Sequence, residues 1–113
     1  MSAETLAAVE RVVDGGDEAD AILREVVTVL HEGLGRFVRV SFVEGDALVP
    51  GPAAGEEVDA ESFPVRFDGS RVANLELGAP LSADERALAE RVAELVAPYA
   101  LVGWDTGGEI WEP

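Results

Sequence analysis

The chain has 113 residues, enough for one domain that buries roughly two-thirds of its unfolded surface. Eight arginines and no lysine stand against 23 acidic residues, giving a formal net charge of −15. So acidic a surface argues against nucleic-acid and anionic-membrane partners, and the absence of cysteine removes disulfides, thiolate metal sites and cysteine nucleophiles.

A hydrophobic fraction of 48% is ample for a core, so the charge does not imply disorder. The N-terminus lacks a basic region followed by an apolar run, so no signal peptide is expected. Apolar stretches are too short to span a bilayer. A cysteine-free chain suits a reducing compartment, and the expected location is the cytoplasm.

In chain order, Leu6, Val9, Val12 and Val13 give residues 3–13 a weak amphipathic pattern, broken at Gly15-Gly16. A second helix, capped by Asp17 or Asp20, carries Ile22, Leu23, Val26, Val27, Leu30 and Leu34, and Gly33 or Gly35 terminates it. Residues 36–43 read as a strand, turned at Glu44-Gly45-Asp46 into a short partner at 47–49. Residues 50–61 read as a loop. Phe63, Val65 and Phe67, then Ala73, Leu75 and Leu77 around an Asp68-Gly69-Ser70 turn, predict a hairpin buried on one face. Ser82 and Glu85 spell a capping box, opening a helix striped by Leu88, Val92, Leu95, Val96 and Tyr99. Pro98 should kink or stop it. The predicted class is α+β, a central antiparallel sheet with the N- and C-terminal helices on one face.

These patterns resemble a GAF domain in reduced form. The likeness rests on Asp20-Ala21-Ile22-Leu23, on Phe63-Pro64-Val65, on Asp68-Gly69 with Val72 to Leu77, and on Leu81 to Glu85 with Leu88-Ala89 and Val92-Ala93. It implies a GAF-like core at 20–101, a helical extension at 1–19 and a tryptophan-bearing tail at 102–113. Two departures stand out. Ala73-Asn74 replaces the usual glycine-centred pair, and the 50–61 stretch is short where typical members build a pocket wall. Known cyclic-nucleotide, bilin or haem pockets therefore have no counterpart, and no cofactor is expected. The family's catalytic branch, the free methionine-R-sulfoxide reductases, works through cysteines, which this chain lacks, so the resemblance implies that this activity is excluded.

Strand alternation places Arg39, Ser41, Arg66, Asn74 and Glu76 on the face turned from the helices. They could form a polar ligand platform whose arginines hold a carboxylate or phosphate. The plainer alternative, and the favoured one, is a solvated face with cross-strand pairs such as Arg66 with Glu76. His31 has no recognisable catalytic partners and suits a helix C-terminus. Acidic runs at Asp14–Asp20 and Glu56–Glu61 lack calcium-loop spacing, so no metal is expected. Trp104, Trp111 and Tyr99 suggest an interface, and GAF-like domains often dimerise through flanking helices. The sequence thus reads as a non-catalytic GAF-like small-molecule sensor or protein-interaction module, a homodimer. The alternative is an acidic partner-binding protein, a secretion-type chaperone or a nucleic-acid mimic.

Overall fold

A computed structural model describes residues 2–15 and 18–108, with side chains for residues 4–15 and 18–100. The amphipathic patterns become α1 (Ser2–Asp14) and α2 (Ala19–Leu34). Glu18 occupies the N-cap of α2 with extended backbone and no side-chain bond, while Asp20 sits in the first turn and pairs with Arg24 at 2.6 Å. Asp17, the other expected cap, lies outside the described residues. Gly35 ends α2 at φ 67, a left-handed conformation that suits glycine, and donates its N–H to the His31 carbonyl.

Four strands follow: β1 (Val38–Glu44), β2 (Ala47–Ala54), β3 (Ala60–Phe67) and β4 (Ser70–Gly78). They pair antiparallel in the order β2-β1-β4-β3. The expected 50–61 loop is largely strand: β2 runs on through Pro50, Gly51 and Pro52, and β3 begins at Ala60. Proline in a strand reads as a break, but β2 is an edge, where a missing N–H can be tolerated. Gly51 is required there. A Cβ on it would collide with the Phe42 ring and lie 2.7 Å from the Val40 carbonyl oxygen.

The chain then enters α3 (Ala83–Gly108) through a complete capping box. Glu85 N–H donates to Ser82 Oγ at 3.1 Å, and Ser82 N–H donates to Glu85 at 2.8 Å. Pro98 does not stop this helix. It removes one donor, while its neighbours Val96, Ala97 and Ala100 are buried and hold the turn against the core. Trp104 falls on α3, but its side chain and all of Trp111 lie outside the described residues.

The core lies between the sheet and the helices. Val38, Val40, Phe63, Val65, Ala73, Leu75 and Leu77 supply the sheet side. Ile22, Leu23, Val26, Val27 and Leu30 of α2, with Leu88, Val92 and Val96 of α3, supply the other. α2 covers β1 and β2, α3 covers β3 and β4, and α1 packs on both helices. The predicted α+β class, with helices on one face of an antiparallel sheet, is the observed one. Among the described residues, no helix is long and apolar enough to cross a membrane.

Candidate functional site

Register decides which polar side chains meet. β1 and β4 pair with Arg39 opposite Glu76 and Ser41 opposite Asn74. Their neighbours Val40, Ala73, Leu75 and Leu77 fill the core, so alternation sends these four to the sheet's outer face. One Glu76 oxygen accepts from Arg39 Nε at 2.8 Å and lies 2.6 Å from its other guanidinium nitrogen. The second accepts from Ser41 Oγ at 3.1 Å. Arg39 also reaches Glu57 at 3.2 Å, and its guanidinium carbon stands 5.4 Å from the Phe37 ring centroid. The Glu76 hydrogen bond, more than any other influence, holds the Arg39 guanidinium above its ordinary pKa.

The face is not simply solvated. Ser41, Asn74 and Glu76 are only 3%, 6% and 7% exposed. Asn74 Oδ1 is buried and accepts no hydrogen bond. A buried amide oxygen without a donor carries an unreturned desolvation cost, which a ligand donor would relieve. Ser41 gives its single proton to Glu76, which leaves its oxygen as an acceptor. The pair favours a group rich in N–H donors, such as an ammonium. Arg39 pairs with Glu76, which makes that carboxylate an anchor for the guanidinium.

Arg66 does not join this cluster. The register puts Ser62 opposite Glu76 and Arg71 opposite Arg66, so the expected Arg66–Glu76 pair does not form. Arg66 instead lines a cleft of about 420 Å³ between β3 and α3, with Phe63, Pro64, Glu90, Ala93 and Glu94. His31 ends α2 as expected, and its Nδ1 donates to the Arg36 carbonyl at 2.8 Å. It borders a separate 260 Å³ cleft with Arg36, Phe37, Glu56, Val58 and Gly78. Tyr99 is half-buried and its hydroxyl meets the Val13 carbonyl at 3.5 Å, linking α3 to α1 within the chain. Glu57 gave no signal in the sequence, because nothing in an acidic run tells which carboxylate will meet an arginine.

The fold is shared with solved reductases. The chain is similar to a free methionine-R-sulfoxide reductase from Neisseria meningitidis, solved with its substrate, at 16% identity and TM-score 0.76. That match covers 93% of this chain and 91% of the other. It is also similar to the fRMsr of Staphylococcus aureus, in its substrate complex and its reduced form, each at 12% identity and TM-score 0.73. Those matches cover 88% of this chain and 95% and 94% of the others. No family model and no curated protein sequence matches the chain.

These neighbours support a GAF-like fold and overturn the expectation of a non-catalytic sensor or interaction module. The signalling assignment and the chaperone or mimic alternative fall with it. Two steps of that expectation were unsound physically. The stretch read as a lost pocket wall is mostly strand, and it leaves a buried polar cluster on the outer face. The missing cysteines remove a thiol carried by the chain, but not the fold's capacity to bind and orient a substrate. At 12–16% identity the likeness establishes the fold, and the neighbours' substrate is theirs.

Proposed function

We propose that the chain is an enzyme acting on a small free amino-acid-type substrate, of the methionine-R-sulfoxide class, at the outer face of β1 and β4. The observation that carries this reading is the unpartnered, buried Asn74 Oδ1 beside Ser41 Oγ. Two acceptors in a partly dry site suit the ammonium of a free amino acid. Arg39, anchored by Glu76 and Glu57, fixes the floor of that site. The neighbours' fold and their substrate complexes supply the substrate class.

The chain holds no cysteine, so an external dithiol is the electron source in this reading. The S–O bond breaks and the sulfur keeps an electron pair. The oxygen leaves as water with two protons, and the two thiols join as a disulfide. This chain's share is to bind and orient the sulfoxide. Dependence on a dithiol fits the reducing cytoplasm, the location we propose. A homodimer through the helices flanking the sheet remains part of the proposal.

The test is to incubate the protein with free methionine-R-sulfoxide and dithiothreitol and to quantify methionine by chromatography. The expected result is methionine formed faster than in the protein-free control, with Asn74→Ala slowing it. A rate equal to the control, with no rise in melting temperature at millimolar sulfoxide, rejects the reading.

A further inference from the structure

In a chain with 23 acidic residues, an arginine should find a carboxylate with ease. Arg24, Arg36, Arg39, Arg86 and Arg91 all do. Arg11, Arg66 and Arg71 join no ion pair among the described residues; Arg66 and Arg71 are both exposed and have Asp68 between them in sequence. They stand directly opposite each other across β3 and β4. Like charges at facing positions destabilise a sheet, so the fold holds this arrangement against a cost.

The hairpin enforces it. Asp68 and Gly69 take φ 56 and 83, the two-residue turn with both central residues left-handed, and Phe67 pairs with Ser70. The next rung from the turn sets Arg66 opposite Arg71, and a register shift between Val65 and Arg66 interrupts the ladder just beyond them. Bulges of this kind re-aim side chains at sheet edges. The nearby carboxylates do not neutralise the pair: Glu94 is held by Arg91 at 3.1 Å, and Glu90 borders the helix side of Arg66 without bonding to it.

We propose that Arg66 and Arg71 form a binding site for an oxyanion with the chemistry of a phosphoryl group. Two planar guanidiniums on facing strands can each direct paired N–H donors at one tetrahedral anion, whose charge relieves their mutual repulsion. A carboxylate offers fewer oxygens and half the charge, so a phosphoryl group is preferred. The site is separate from the Asn74 cluster, and its test needs no sulfoxide.

The experiment is a titration of the protein with inorganic phosphate at low ionic strength, followed through backbone amide NMR shifts. The expected result is saturable shifts concentrated at residues 66–71, with acetate binding clearly weaker. Arg66→Gln and Arg71→Gln should each weaken phosphate roughly tenfold. Arg71→Glu should abolish it while raising the melting temperature, because it places opposite charges face to face. That rise separates loss of the site from loss of the fold. Shifts that never saturate, acetate binding as tight as phosphate, or full affinity in Arg71→Gln would each overturn the proposal.

Discussion

Arg39 and Glu76 face each other across β1 and β4 and meet through two guanidinium nitrogens, at 2.6 and 2.8 Å from one carboxylate oxygen. Ser41 satisfies the other oxygen, so the carboxylate sits in the sheet with its charge answered. Glu76→Gln keeps the shape and removes the charge. It should cost about 2 kcal/mol in chemical denaturation, in the range for a charged hydrogen-bonded partner. A change within error would mean the pair only decorates the surface.

Asn74 should behave in the opposite way. Its buried Oδ1 contributes a desolvation cost and no bond, so Asn74→Leu is expected to leave the free protein as stable or about 1 kcal/mol more stable. The same change should abolish the thermal shift produced by methionine sulfoxide. Clear destabilisation of the ligand-free protein would contradict this account.

Acid should weaken the start of α3. Glu85 is held below its ordinary value of 4.5, first by the Ser82 backbone N–H and then by Arg36. A carboxyl with a depressed folded value stabilises above its unfolded value and loses that contribution as pH falls through the folded one. Stability should therefore be full above roughly pH 5 and decline below the ordinary value. Glu85→Gln should flatten that decline in melting temperature measured against pH, and an unchanged acid limb would count against it.

Ser82→Ala removes the other half of the box and should cost about 1 kcal/mol at neutral pH. Urea denaturation of the variant is the direct check.

Gly51→Ala should be among the most damaging single-methyl additions. Its Cβ would meet the Phe42 ring and the Val40 carbonyl at once, and overpacking of this kind costs about 1–3 kcal/mol. A variant with wild-type melting temperature would show that β2 can shift aside.

Local signals with a mechanism carried over best from sequence to structure. The Ser82–Glu85 box, the Gly35 terminus and the alternation of Phe63 to Leu77 all depend on residues a few positions apart. Pro50, Gly51 and Pro52 misled because strand membership there is set by β1 alongside, which local composition does not encode. The Arg39, Ser41, Asn74 and Glu76 face was legible from alternation. Its pairing was not, because which arginine meets Glu76 depends on the β1–β4 register, which sets Arg39 opposite it. Glu57 was hidden in its acidic run, whereas the Arg66–Arg71 opposition follows directly from a two-residue turn at Asp68-Gly69.

The prolines of β2 also bear on how the molecule behaves in a crowd. β2 has no charged residue and exposes Leu48 and Val49, the sort of border along which chains can polymerise into continuous ribbons. Yet two of its eight residues, Pro50 and Pro52, have no N–H to offer. An incoming strand would find an incomplete ladder there, and the growth of such a ribbon would stall at its first rung.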